Sequence, residues 1–166
     1  MTESILNKKR ILAIDDEPDV LEVLEEEIKE VSPDTHFEKA TSYHTASEML
    51  KSQSYDLVIL DIMGVRGFDL LNLAISRNMP VTMLTAHALH PESLKRSIEM
   101  GARAYLPKEK MGEIVPFLEN TFKYDFSPGW KRLLENLYDF FNTKWGNHWQ
   151  KAEAKFWEDF NKKYLN

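Results

Sequence analysis

Five polar residues of this 166-residue chain share one placement. Asp15 and Asp16 follow the aliphatic run Ile11-Leu12-Ala13-Ile14, and Asp61 closes Leu57-Val58-Ile59-Leu60. Thr85 closes Val81-Thr82-Met83-Leu84, and Lys108 stands two residues beyond Tyr105-Leu106. Short apolar runs bounded by polar residues read as strands buried on both faces of a parallel sheet. In such a sheet ligands bind at the carboxyl ends of the strands, so all five side chains converge on one crevice. Three carboxylates held close together repel one another and favour a hard dication with oxygen ligands, Mg²⁺ being the usual choice beside phosphate. A lysine and a hydroxyl facing them can pair with phosphoryl oxygens. One of the carboxylates can then act as the nucleophile in phosphoryl transfer. Taken singly, each aspartate is equally a helix cap or a turn former; the set is what points to chemistry.

The elements that must position these groups alternate strand and helix. Arg10–Ile14 leads through Pro18, a proline suited to a first helical turn, into a stripe of Val20, Leu21, Val23, Leu24 and Ile28 with Glu25-Glu26-Glu27 on the wet side. A strand over 35–40, a helix over 42–52 and the strand ending at Asp61 follow. Gly64 and Gly67 mark a tight loop before a helix over 68–75 closed by Asn78. A strand over 80–85, a helix from Pro91 stopped by Gly101, a strand over 103–106 and a helix around 114–122 with Pro116 in its first turn complete the series. Five such units imply a doubly wound α/β fold, a parallel sheet with right-handed crossovers and helices on both faces.

These residues resemble the receiver domain of two-component response regulators over about residues 9–123. The resemblance implies a flavodoxin-like (βα)5 sheet of order 2-1-3-4-5, as in the chemotaxis regulator fold. It implies Asp61 as phosphoacceptor and an Mg²⁺ ion held by Asp16 directly, by Asp15 largely through water, by Asp61 and by the Met63 backbone carbonyl. Thr85, within Thr85-Ala86-His87, matches the switch hydroxyl, with small Ala86 leaving room for the phosphoryl group. Tyr105 matches the switch aromatic, and Lys108 the phosphate-pairing lysine. The implied partner is a histidine kinase or phosphotransfer protein, and the implied role is signalling through protein contacts rather than turnover of a substrate. Phosphorylation by small phosphodonors and slow self-dephosphorylation are expected.

Two departures from the family pattern stand out. The loop after Asp61 is about two residues short. Pro107 precedes Lys108 instead of following it, which leaves the isomer of that peptide open.

Rival readings keep the same sheet. A haloacid dehalogenase-like phosphatase also uses a strand-end aspartate, but needs an Asp-x-Asp pair, and Asp61-Ile62-Met63 lacks the second acid. A flavodoxin-like flavin-binding module needs a Ser/Thr/Gly phosphate loop after the first strand, which is missing. His87 could tune water access to a phosphoaspartate or be a plain loop histidine. Met63 should lie solvent-facing at the pocket rim. His36, His44, His90 and His148 show no ligand spacing and read as surface residues.

Composition divides the chain near residue 124. Residues 1–123 carry 14 Lys+Arg against 21 Asp+Glu, and residues 124–166 carry 7 against 6 but hold all four tryptophans. The first segment reads as the domain and the second as a helical extension for interaction or dimerisation. Ser127 as cap and Pro128 as first helical residue begin a stripe of Trp130, Leu133, Leu134, Leu137, Tyr138, Phe141, Trp145, Trp149, Ala152, Phe156, Phe160 and Tyr164 at helical spacing. Gly146-Asn147 either breaks it into two helices or is carried through at about 1 kcal/mol. A stripe this apolar must be covered, by the domain, a second copy or a partner. No basic stripe suggests duplex DNA, and the mixed polar face argues against a membrane surface. No apolar run reaches the roughly 20 residues of a membrane span, the start lacks secretory-signal order, and cysteine is absent, so a cytoplasmic protein is expected.

Overall fold

The computed structural model describes residues 3–86 and 90–165, with the side chains of the last two of these left aside. His87 lies outside the described residues, as does the Tyr164 side chain.

Five parallel strands form one sheet of order β2-β1-β3-β4-β5. They are β1 (Arg10–Ile14), β2 (His36–Ala40), β3 (Leu57–Asp61), β4 (Val81–Thr85) and β5 (Ala104–Pro107). Every residue of β3 and β4 is buried, as their unbroken apolar runs require of central strands, whereas the edge strand β2 is largely part-exposed. The helices are α1 (Pro18–Val31), α2 (Tyr43–Ser52), α3 (Gly67–Ser76), α4 (Pro91–Glu99) and α5 (Ile114–Lys123). The chain reverses direction across the sheet after β2, so right-handed crossovers place α1 on one face and α2, α3 and α4 on the other. α5 packs beside α1, and α2 beside α3.

Local signals set most boundaries. The Ser42 side chain accepts from the Thr45 N–H and caps α2. Pro18 and Pro91 lie in the first turns of α1 and α4. Asn78 takes φ +61° just past α3, and Gly101 takes φ +95° past α4. Pro116 is the third residue of α5. A 3-10 turn over Lys108–Glu113, unsignalled by any periodicity, separates β5 from α5. No peptide bond among the described residues is cis, including the one before Pro107. Val23, expected in the apolar stripe of α1, is exposed: Val20, Leu21, Leu24 and Ile28 fill the face toward the sheet and turn it outward.

The extension is two helices, α6 (Phe126–Trp145) and α7 (Ala154–Phe160), with a 3-10 turn over Trp149–Glu153 between them and a π turn over Asn161–Leu165 behind. Gly146, at φ +84°, ends α6, which answers the choice between one helix and two. Helix α6 begins two residues earlier than Ser127-Pro128 suggests. Asp125 is the cap residue, its carbonyl accepts from the Gly129 N–H, and Pro128 is third in the helix, where an N–H is not needed. Tyr138, within α6, faces solvent; beyond the break the phase of the stripe shifts, so that Ala152 faces solvent and Trp157, outside the expected stripe, is buried.

What the stripe covers is this chain's own α4-β5-α5 face. The Trp130 indole is fully buried and its Nε1 donates to the Ala102 carbonyl at 2.9 Å. Lys95 on α4 pairs with Glu153 at 2.9 Å, and Lys144 on α6 with Glu109 at 2.9 Å. Arg103 donates to the carbonyls of Thr121 and Tyr124 and fixes the two-residue join between α5 and α6. The exposed edge of β5 is thereby covered, one of the ways a sheet avoids edge pairing. Among the described residues no helix is long and apolar enough to cross a membrane.

Candidate functional site

Asp15, Asp16, Asp61, Thr85 and Lys108 all lie at the carboxyl end of the sheet. Register aligns Asp61 with Leu84 and Thr85 with Pro107, so the ends of β3, β4 and β5 stand side by side. Asp15 is anchored by its own backbone, whose N–H donates to the Ala40 carbonyl. Carboxylate oxygens of Asp15, Asp16 and Asp61 lie within 4.8 Å of one another, with Asp15 and Asp61 buried and Asp16 exposed. All three are hard oxygen donors, two facing a dry interior and one facing solvent. That donor set fits a divalent cation such as Mg²⁺ and does not suit a soft metal.

Lys108 bridges the cluster. Its Nζ lies 2.8 Å from Asp15 Oδ2, 3.0 Å from Glu17 Oε1 and 3.4 Å from Asp61 Oδ1. Asp15 Oδ1 accepts from the Glu17 N–H at 2.9 Å. Burial pushes the Asp61 carboxyl up to about 7, with the charges of Asp15 and Asp16 adding to the rise and Lys108 opposing it. Burial raises Asp15 as well, against the pull of Lys108 and the Glu17 N–H. For Lys108, burial disfavours the ammonium, but bonds to Asp15 and Glu17 and the charges of Asp61 and Asp15 outweigh it, so its pKa lies above the ordinary lysine value.

The loop after Asp61 is shaped by close approach. Gly64 has φ +84°, and a Cβ there would lie 2.5 Å from the Asp16 carboxyl. At Gly67 a Cβ would lie 2.2 Å from the Asp61 carbonyl oxygen. Arg66, at φ +55°, caps α3, and its guanidinium lies over the Tyr43 ring while pairing with Asp69. Met63 is 61% exposed at the rim, as expected. His36, His44, His90 and His148 are exposed.

Thr85 is fully buried behind the cluster. Tyr105 is also fully buried, its hydroxyl 2.7 Å from Ser93 Oγ on α4. Burial raises the Tyr105 phenol, and bonds to the Ser93 and Thr85 hydroxyls oppose the rise. Its ring meets Phe141 of α6 edge to face, centroids 6.1 Å apart. Sequence reasoning missed Glu17, Ser93 and Phe141 as neighbours of these groups. Adjacency to the acid pair could have signalled Glu17; the contacts of Ser93 and Phe141 depend on how distant elements pack and leave no local trace.

Known proteins resemble this chain in sequence and in fold. The chain is 38% identical over 103 residues to the two-component response regulator ARR18 of Arabidopsis thaliana, covering 60% of this chain and 16% of that protein. It is 30% identical over 104 residues to the signal transduction histidine-protein kinase BarA of Shigella flexneri, covering 59% of this chain and 11% of that protein. It therefore spans only a small part of those relatives. Among solved structures it is similar in fold to a response regulator from Thermotoga maritima, with TM-score 0.61, 16% identity and 70% of this chain and 99% of that one covered. It is likewise similar to a CheY-like receiver domain protein from Methanospirillum hungatei, with TM-score 0.57, 22% identity and 69% and 97% covered. The sequence profile of the response regulator receiver domain matches residues 11–118, and the chain belongs to that family, a signalling module of two-component systems.

Proposed function

We propose that residues 1–123 accept a phosphoryl group on Asp61 from the phosphohistidine of a histidine kinase or phosphotransfer protein, and that residues 124–166 serve the output. The observation that carries this reading is the single ammonium of Lys108 set between Asp15 and Asp61 at the mouth of a three-carboxylate cluster. An Asp61 oxygen attacks phosphorus in line, the phosphorus–nitrogen bond breaks, and the imidazole nitrogen leaves with the bonding pair. Asp61 must be ionised to attack. Asp15, Asp16, Asp61 and the Met63 carbonyl would hold Mg²⁺, which supplies charge stabilisation for the phosphoryl oxygens when bound.

Lys108 pairs with a phosphoryl oxygen, a move that asks only for a small shift from its place between Asp15 and Asp61. Thr85 donates its hydroxyl to another oxygen, and the space it leaves favours Tyr105 inside. The rim at Met63 and the buried wall of Thr85 restrict water, so the acyl phosphate is hydrolysed slowly and the protein is a switch rather than a turnover enzyme. Asp61→Asn abolishes acid-labile, Mg²⁺-dependent labelling by acetyl phosphate while the fold survives. Labelling of that variant at the wild-type rate would remove Asp61 from the role.

A further inference from the structure

Among the described residues Glu17 is the one ion-pair partner of Lys108 that stands outside the three-carboxylate cluster. Its backbone is fixed from both sides. The N–H donates to Asp15 Oδ1 at 2.9 Å, and Pro18 at the head of α1 holds the residue before it to the extended conformation that Glu17 adopts. The side chain therefore starts from a set point. It is 61% exposed, whereas that of Lys108 is 12% exposed, so Glu17 grips the ammonium from the solvent side while Asp15 and Asp61 hold it from the buried side.

The three distances rank these grips. Lys108 Nζ lies 2.8 Å from Asp15 and 3.0 Å from Glu17, within hydrogen-bond range, and 3.4 Å from Asp61, beyond it. An ammonium has three donors on a flexible stem, so the carboxylate that takes the outer donor decides how far the others reach inward. Drawn to Glu17, the ammonium stops short of Asp61. Released, it closes on Asp15 and Asp61 together, two of the three acids that a dication would use, and opposes the metal by occupying those oxygens and by its charge. A pair exposed at both ends would be too weak to matter, but this one is buried at the lysine end.

We propose that Glu17 is a positioning residue that acts through Lys108, holding the ammonium at the mouth of the site so that Asp61 stays open to metal and phosphoryl group. The lysine then waits where the phosphoryl oxygens arrive. Glu17 itself is not a metal ligand. This rests on the reading of Asp15, Asp16 and Asp61 as a metal cluster.

The test is a double-mutant cycle on the full chain, read as Mg²⁺ affinity by calorimetry. Glu17→Gln keeps the shape of the side chain, removes its charge and weakens Mg²⁺ binding by about 5-fold or more, the low end of ordinary coupling. In a Lys108→Ala background the same change has an effect of less than about 2-fold, because no ammonium is left to misplace. An equal loss in both backgrounds overturns the proposal and reduces Glu17 to a distant charge that favours cations. Unchanged or tighter binding in Glu17→Gln overturns it as well. Should the Lys108 variants not fold, Glu17→Asp decides, since it keeps the charge on a shorter arm: a loss of affinity supports the proposal, and wild-type affinity overturns it. Labelling by acetyl phosphate supplies a second readout, slowed in Glu17→Gln at limiting Mg²⁺ and restored by excess. A defect that excess Mg²⁺ leaves in place overturns the proposal. Failure of the wild type to bind Mg²⁺ at all would instead strike at the metal cluster on which the proposal rests.

Discussion

Gly64 approaches Asp16 so closely that a Cβ on it would lie 2.5 Å from the carboxyl carbon. The glycine is needed twice, for its φ of +84° and for the room it leaves the one exposed carboxylate of the cluster. Gly64→Ala should therefore displace Asp16 and strain the loop. Mg²⁺ affinity, titrated calorimetrically, should fall by at least about tenfold, equivalent to roughly 1.4 kcal/mol. An alanine variant with wild-type affinity would mean that Asp16 is not a metal ligand.

The raised pKa of Asp61 makes a stability prediction with a definite sign. The folded carboxyl, pushed up from 3.8 to about 7, holds a proton between those values that the unfolded chain has released. Stability contributed by this group is therefore highest at low pH and falls as pH rises through the window toward 7. At pH 8 the ionised carboxylate carries a cost of roughly 4 kcal/mol at most, at about 1.36 kcal/mol per pH unit, reduced in practice by local relaxation. Asp61→Asn should be more stable than wild type at pH 8 by about 1–3 kcal/mol, with the gap closing toward pH 5 in denaturant titrations. An asparagine variant no more stable at pH 8 would show that Lys108 already compensates the charge.

The same reasoning applies to Mg²⁺. An ion binding only the folded state and neutralising Asp61 stabilises by mass action, by about 2.7 kcal/mol at a hundred times its dissociation constant. Chelation at pH 8 should lower the midpoint of unfolding, and the effect should shrink at pH 6, where Asp61 is mostly protonated. A chelator effect equal at both pH values would argue that the ion sits away from Asp61.

Lys108→Ala removes the cation shared by Asp15, Glu17 and Asp61. Labelling by acetyl phosphate should slow but persist, while the phosphorylation-dependent switch, read by amide hydrogen exchange at α6, should be lost. Full switching in this variant would take the lysine out of the mechanism.

How far these features were legible in the sequence follows from the range of the forces involved. Buried parallel strands are continuous apolar runs, so Leu57–Asp61 and Val81–Thr85 declared both themselves and the end at which their polar residues fall. Ser42, Pro18 and Gly101 act within one helical turn and were readable for the same reason. The extension's stripe was readable, but its phase was not: a 3.6-residue period carried across Gly146 turned Ala152 inward and left Trp157 out, whereas the break at φ +84° buries Trp157. Its destination was illegible because nothing local to Phe141 names Tyr105, 36 residues earlier in the chain.

Trp130 is where the extension is fastened, and it decides whether the two segments fold as one. Its ring is fully buried against the domain, and its Nε1–H satisfies the Ala102 carbonyl at the turn into β5. Trp130→Phe keeps most of the apolar contact but leaves that carbonyl without its indole donor, a loss of about 1–3 kcal/mol when a buried polar group loses its partner. Trp130→Ala adds a cavity and should cost about 3–5 kcal/mol. Since α6 covers β5 and α5 directly, both losses should appear as a shift of a single transition, with tryptophan emission and far-ultraviolet circular dichroism coinciding. Emission changing at lower denaturant than circular dichroism in the wild type would mean that the extension undocks before the sheet unfolds, and the loss in Trp130→Phe would then fall on the first step alone.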